Sequence, residues 1–239
     1  ITSLVGMAVS FLMIFFVVLP QILKGHDPIT VAILSSLVII PVSFYMTHGV
    51  NKKTTSAVMG TVISLVITGL LANFFVNIGH LTGFTSDEAS FLETAKKGAV
   101  QMKGLLLAGI IIGALGVLDD ITISQSAIVF QLRNTSEKLK FWQVYKKAMD
   151  IGRDHIASMV NTLVLVYTGA ALPLLLIFID NPRPFTEIIN YEMISEEIIR
   201  TIVVSIGLIL AVPLVTLIAA VLSDQEFKRA TKEILHSLK

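Results

Sequence analysis

The chain has 239 residues, of which 54% are hydrophobic and only 15% are charged, and its formal net charge is +1. An ordinary soluble domain carries about 25% charged residues, so this composition indicates an integral membrane protein and leaves no soluble domain. The near-neutral charge gives no case for nucleic-acid binding, and the absence of cysteine excludes disulfides, thiolate metal sites and thiol catalysis.

Six apolar segments, each long enough to cross a bilayer as a helix, follow one another along the chain. They cover residues 2–23, 28–47, 54–78, 104–132, 156–179 and 201–222, and residues 223–239 follow as a predicted cytoplasmic tail. We therefore predict an all-α polytopic membrane protein, with one domain built as a bundle of about six transmembrane helices. Because the chain starts at Ile1 beside an apolar run, without an initiator Met, we expect it to be a fragment of a longer protein.

Lys and Arg predict the orientation of the bundle, because cytoplasmic loops of membrane proteins carry an excess of these residues. With both termini on one side, that side holds twelve Lys and Arg residues and the opposite side holds six. We therefore predict that both ends of the chain face the cytoplasm.

The loops between the predicted spans carry further signals. Ser86 precedes two acidic residues, which predicts a capped short helix that reaches Lys97 on the outer side. Residues 136–153 place apolar and aromatic side chains at helical spacing among lysines, which predicts a separate helix lying on the inner leaflet. Residues 180–200 form an acidic outer loop, and we expect its carboxylates to be solvated.

The fourth span contains Asp119 and Asp120, the only residues inside the six predicted spans that ordinarily carry a charge at neutral pH. A carboxylate at the centre of a bilayer costs about 2.5–3.5 kcal/mol on the insertion scale, and pairing, protonation or a wet cavity must offset that cost. As a helix, the span would be about 43 Å long at 1.5 Å per residue, against a hydrocarbon core of about 30 Å. We therefore predict that this helix is long or broken, and we favour a break at the Asp pair.

One face of the predicted fourth helix carries small residues and one of the two acids. At steps of three and four residues, this face presents Gly109, Gly113, Gly116, Asp120 and Ser124. Small residues at such spacing let the backbone of a second helix approach closely, so the glycines predict helix packing. Asp120 would then point into the bundle at the end of a glycine groove, with Asp119 on the adjoining face.

Polar residues at the start of the fifth span could meet this pair. The predicted site combines Asp119, Asp120, Thr122 and Ser124 with Asp154, His155, Ser158 and Asn161. Because the fourth span runs inward and the fifth outward, both sets lie toward the inner half of the membrane. Two chemistries stay open: a proton relay between carboxylate and imidazole, or a hard-cation site for a monovalent or divalent ion. We predict no resident cofactor. In the structural alternative, Asp154 caps the fifth helix and the other polar groups hold helices together.

Two strings of residues carry a resemblance to a known family. Gly-Ala-Leu-Gly-Val-Leu-Asp-Asp-Ile-Thr-Ile-Ser-Gln at 113–125 and Gly-Arg-Asp-His-Ile-Ala-Ser-Met-Val-Asn-Thr-Leu-Val-Leu at 152–165 resemble the YibE/F family of bacterial multipass membrane proteins. The resemblance implies a multipass protein of the plasma membrane and supplies no catalytic residues. A more remote likeness, to the membrane half of resistance-nodulation-division and SecD/SecF proteins, implies proton coupling through Asp119 or Asp120. The longer spacing from Asp to the following Phe departs from that second pattern.

Two functions follow from these observations. The first is a transporter-like or export-associated permease with a proton- or cation-linked carboxylate site in the bilayer. The second is a non-enzymatic structural or assembly subunit, acting as a homo-oligomer or with a partner membrane protein. The sequence has no paired-His zinc motif, phosphate loop or nucleophile elbow, so we predict that it is not an enzyme. A metal-dependent enzyme using Asp119, Asp120, Asp154 and His155 is the remote third option.

Overall fold

The computed structural model describes residues 2–136, 139–180 and 184–224, and these residues form helices and connecting loops. In chain order the helices are α1 (Thr2–Met13), a π-helical turn (Ile14–Val18), α2 (Leu19–Leu23), α3 (Pro28–His48), α4 (Lys52–Ile78), α5 (Asp87–Lys96), α6 (Met102–Thr135), α7 (Phe141–Ala170), α8 (Leu172–Ile179), α9 (Phe185–Ile188) and α10 (Glu192–Ser223).

Five segments of the described chain are long and apolar enough to cross a membrane: Leu4–Leu23, α3, α4, α6 and α10. Helices α7 and α8 add a sixth when they are counted together as one bent span. Large apolar side chains also cover the outside of the bundle, with Phe16 73% exposed and Leu70 67% exposed. Such a surface suits acyl chains rather than water. The prediction of a polytopic helical membrane protein is confirmed.

Helix α6 lies at the centre of the bundle, where it packs against α3, α4, α7 and α10. Its buried apolar residues include Ile110, Ile111, Leu118 and Ile121. Helices α4 and α10 also pack closely on each other, because Gly60 lies against Val215 and Gly207 lies against Thr68. Small residues therefore set the closest helix contacts, as expected where lipid removes the hydrophobic drive between helices.

The fourth helix is long, as one of the two predicted alternatives, and the favoured break is wrong, because α6 runs without interruption from Met102 to Thr135 and through both aspartates. The polar residues after the two aspartates form hydrogen bonds with the neighbouring helix. They do not serve an unwound backbone. The Thr122 hydroxyl lies 2.6 Å from that of Thr61, and the Ser126 hydroxyl lies 2.7 Å from that of Ser56. These contacts join α6 to α4 and leave the helical hydrogen bonds of α6 intact.

The separate inner-leaflet helix predicted for residues 136–153 is also wrong. Residues Phe141–Ala170 form one continuous helix, so the aromatic and basic segment is the first half of α7. The predicted fifth span is broken instead near its outer end, where α8 starts with Pro173 in its first turn and bends by 66° from α7. Proline lacks the amide hydrogen that would continue the helix, which explains the position of the bend.

The outer loops pack more tightly than the sequence indicated. The short helix α5 is confirmed, and Ser86 caps it by accepting a hydrogen bond from the amide of Ala89 at 3.1 Å. The expectation of solvated acids is wrong for Glu196, which is only 6% exposed. The reason is that α10 begins at Glu192, so these acids lie on its first turns, against the loop that precedes α5.

The inner ends of α6 and α10 are joined by an ion pair. Arg133 Nη2 lies 3.1 Å from Asp224 Oδ2, and the same guanidinium also donates to the carbonyl of Leu139. Asp224 is the last residue described at this end of the chain. The rest of the predicted cytoplasmic tail, residues 225–239, lies outside the described residues.

Candidate functional site

A cavity of about 440 Å³ lies between α1, α3 and α6, and we call it the carboxylate cavity. Its polar lining comes from Ser10, Ser43, Thr47, His48, Asp119 and Asp120. Apolar residues such as Ile40, Phe44 and Leu115 complete its walls. This volume has room for on the order of ten water molecules, and hydroxyl, imidazole and carboxylate groups are available to hold them.

Asp119 and Asp120 lie midway along α6 and both line this cavity. Asp119 is half-buried and Asp120 is exposed. Within the described part of the chain, neither carboxylate has an ion pair or a side-chain hydrogen bond to the protein. Pairing, protonation or a wet cavity could offset the cost of a charge in the bilayer. Of these, the structure shows a cavity beside the two carboxylates. Acidic groups facing such a space are available to bind a proton or a cation.

Helices α1 and α3 supply the polar residues opposite the pair, and none of these was among the predicted site residues. Ser43 and Thr47 lie one turn apart on α3, and His48 is the last residue of that helix. Gly6 allows α1 to approach, because a Cβ atom at Gly6 would lie 2.6 Å from the Thr47 hydroxyl oxygen. The four-residue spacing of Gly6 with Ser10, and of Ser43 with Thr47, was the available signal. The predicted end of the second span at residue 47 had left His48 in a loop.

The residues predicted on the fifth span do not line the carboxylate cavity. In the structure Asp154, Ser158 and Asn161 are exposed and His155 is half-buried. Asp154 lies well inside α7, so it does not cap a helix. The physical reason is that α1 and α3, rather than α7, form the walls of this cavity.

Two predicted residues of the fourth span also lie outside the cavity lining. Thr122 is fully buried and forms the hydroxyl contact with Thr61 on α4, so its position is one of helix packing. Ser124 is half-buried. Nearby, Gln125 Nε2 donates to the carbonyl of Ala148 at 2.9 Å and to Thr216 Oγ1 at 2.7 Å. Gln125 thus joins α6 to α7 and α10.

The close helix packing predicted at the glycines of α6 is not what the structure shows. The nearest groups to Gly109 and Gly113 are side chains, because Cβ atoms built there would lie 3.8 Å from Arg200 Nη1 and 3.6 Å from the Tyr167 hydroxyl. At Gly116 the corresponding position has no heavy atom within 4 Å. These glycines leave room for polar side chains from α7 and α10 rather than for a helix backbone.

The first turns of α10 form a group of charges that the predicted span boundaries had placed in a loop. Arg200 Nε lies 3.4 Å from Glu197 Oε1, and Glu196 Oε2 accepts a hydrogen bond from the Thr85 hydroxyl at 2.8 Å. Glu192 accepts hydrogen bonds from the backbone amides of Thr82 and Gly83. Among the described residues, no group of three or more His, Asp or Glu side chains is placed to hold a metal ion.

Comparison with known protein families gives a match for this chain. The family described as YibE/F-like protein matches residues 1–225, which include every described helix of the bundle. No curated protein and no solved structure matches the chain. The match to the family covers most of the sequence, and the chain therefore belongs to the YibE/F-like protein family.

Proposed function

We propose that the protein is a permease in which a proton or small cation binds at Asp119 and Asp120. The observation that carries this proposal is the pair of carboxylates without protein partners on the wall of a cavity of about 440 Å³. Acidic residues inside membrane spans are rare because of their cost, and in transporters they mark ion and proton pathways.

The shape of the cavity supports entry from the inner side of the membrane. It reaches from the middle of α6 to Thr47 and His48 at the end of α3. The predicted topology places that end of α3 on the cytoplasmic side. The imidazole of His48 can donate or accept a hydrogen bond at this end of the cavity. The family resemblance adds the plasma membrane of a bacterium as the proposed location.

Proton flux into proteoliposomes tests this proposal. Purified protein is reconstituted into vesicles that contain the pH dye pyranine, and a potassium gradient with valinomycin drives proton entry. We expect flux above that of protein-free vesicles, and we expect both Asp119→Asn and Asp120→Asn to lower it at least about tenfold, as loss of a proton-relay group does. Parallel measurements of Na⁺ and K⁺ uptake distinguish the proton from a metal cation.

Asp150→Asn is the matched control for the two carboxylate variants. Asp150 is exposed on α7 and pairs with Arg153 at 3.4 Å, away from the cavity lining. Its replacement removes the same charge and should leave flux unchanged. The proposal is overturned if wild-type flux of protons, Na⁺ and K⁺ equals that of empty vesicles, or if both cavity variants conduct like wild type.

The second candidate function is a structural or assembly subunit that works with a partner membrane protein or as a homo-oligomer. The observation in its favour is the set of hydroxyl and amide contacts that α6 makes to its neighbours through Thr122, Gln125 and Ser126. In that case, Asp119→Asn would leave flux at background, and the α6 contacts would control only the stability of the bundle.

A further inference from the structure

We infer that the proton route continues from the carboxylate cavity toward the outer face, between α6, α7 and α10, with Tyr167 as its middle group. This inference rests on the proposed function and deepens it, because it identifies the proton as the coupling ion. The carboxylate cavity accounts only for the half of the route that ends on the inner side.

Two polar side chains from different helices lie over consecutive turns of α6. Arg200 of α10 reaches the surface at Gly109, and Tyr167 of α7 reaches the surface at Gly113. The two glycines are about 6 Å apart along the helix axis, at 1.5 Å per residue. Their missing side chains give the guanidinium and the phenol access to the face of α6 that leads to Asp120.

The same face connects these side chains to the carboxylate cavity. Gly116, the next glycine, lines that cavity and has no heavy atom within 4 Å of its Cβ position. From Gly109 to Asp120 the face covers about 16 Å at 1.5 Å per residue, roughly half of a hydrocarbon core of about 30 Å. The cavity extends along α6 as far as Ile112, so the polar groups at Gly113 and Gly109 meet its outer end and continue past it.

The outer end of this line has its own acidic group. Glu196 is 6% exposed, and its Oε1 atom has no hydrogen-bond partner among the described residues. Leaving a buried carboxylate oxygen without a partner is unfavourable, so a proton is a fitting ligand for it. The charged groups around Glu196 are Glu192, Glu197 and Arg200, and the Thr85 hydroxyl donates to its other oxygen.

Tyr167 links the outer acids to α6. Another cavity, of about 260 Å³ between α7, α8 and α10, is lined by both Tyr167 and Glu197. A phenol hydroxyl can donate and accept a hydrogen bond at once, which is what proton transfer between neighbours requires. Arg200 pairs with Glu197 at 3.4 Å, which partly balances its positive charge beside the phenol. Because a hydroxyl can pass on a proton but not a metal ion, a route through Tyr167 favours protons over Na⁺ or K⁺.

Thiol labelling tests the position of the route without a transport assay. The chain has no cysteine, so Gly113→Cys and Gly116→Cys each create a single thiol. Gly169→Cys is the control, because Gly169 lies two residues from Tyr167, at similar depth on the opposite face of α7, and has open space around it. We expect a charged methanethiosulfonate to label the two α6 positions at least about tenfold faster, because only a hydrated thiol forms the reactive thiolate. Equal rates at all three positions would overturn the inference.

Flux through two further variants separates this inference from the proposed function. Tyr167→Phe keeps the ring and removes the hydroxyl, and Gly116→Leu fills the open space beside the cavity. We expect each to lower proton flux at least about tenfold, as for other lost relay groups, while Gly169→Leu conducts like wild type. If Asp120→Asn lowers flux and these two variants do not, the outer route is wrong and the proposed function stands. If wild type carries no flux, the proposed function fails, and the labelling rates alone decide whether the hydrated route exists.

Discussion

Replacing Gly60 with Ala tests whether the contact between α4 and α10 leaves room for a single methyl group. A Cβ atom at Gly60 would lie 2.8 Å from Cβ of Val215, 2.9 Å from its Cγ2 and 3.2 Å from its Cα. Carbon atoms in contact prefer separations of about 3.5–4.0 Å. Because one of the crowded atoms belongs to the backbone, a change of rotamer cannot relieve the contact, and α10 must move away from α4.

The expected cost combines two opposing terms. Forcing an extra methyl group into a packed interior costs about 1–3 kcal/mol. Ala is a better helix former than Gly by about 0.5–1 kcal/mol, which offsets part of that cost. We expect Gly60→Ala to lower the free energy of unfolding by about 1–2 kcal/mol.

Unfolding in mixed micelles of mild detergent and SDS, followed by helical circular dichroism, measures this change. Gly169→Ala is the matched control, since Gly169 has open space where Gly60 has none, and it should gain stability. Val215→Gly removes the opposing Cβ atom. In that background, Gly60→Ala should cost at least about 1 kcal/mol less unfolding free energy than it does alone. If Gly60→Ala is as stable as Gly169→Ala, the close contact between α4 and α10 is wrong.

Three other predictions concern single contacts. Thr122→Val removes the hydroxyl that meets Thr61 at 2.6 Å, and it should cost about 0.5–1.5 kcal/mol in the same SDS titration without changing proton flux. Asp27→Ala removes the cap of α3 and should cost about 1 kcal/mol. Hydrogen bonds from Thr30 hold the pKa of Asp27 below its ordinary value of 3.8, so the stability from this carboxylate is present above pH 3.8 and is lost as the pH falls through the lowered native pKa. Glu192→Ala releases the amides of Thr82 and Gly83, and hydrogen exchange there should accelerate at least about tenfold.

Each of these predictions has an outcome that contradicts it. If Thr122→Val lost proton flux without losing stability, Thr122 would belong to the ion site and not only to helix packing. Asp27→Asn keeps a capping side chain without the titrating charge and should retain most of the cap. It should also flatten the acidic part of the curve of unfolding free energy against pH. An unchanged curve would show that the carboxylate does not contribute. Glu88 is an exposed acid in the first turn of α5, and Glu88→Ala is therefore the control. Equal exchange at Thr82 and Gly83 in both variants would mean that Glu192 does not hold the loop.

The sequence predicted helices well wherever neighbouring residues decide the structure, as in hydropathy and helix capping. Hydropathy over 20 or so residues identified the spans, and Ser86 predicted the start of α5 at Asp87. The prediction failed where distant contacts decided the backbone. The break expected at Asp119 and Asp120 did not form, because a cavity, rather than unwound backbone, surrounds the carboxylates.

The partners of the carboxylate pair could not be predicted in the same way. Asp154 and Ser158 on the fifth span were reasonable candidates, since antiparallel neighbours in sequence are often neighbours in space. The cavity instead takes Ser43 and His48 from α3. Their polarity is ordinary for a span end, and only the position of α3 beside α6 gives them a role in the cavity.

The sequence by itself determined that this is a helical membrane protein with about six spans and a costly pair of acids in the fourth, because hydropathy, span length and charge are properties of short segments. Only the tertiary structure decided which helices surround those acids. That choice depends on close contacts between helices far apart in the chain, such as Gly60 with Val215 and Gly6 with Thr47, where the fit of small residues determines which faces meet.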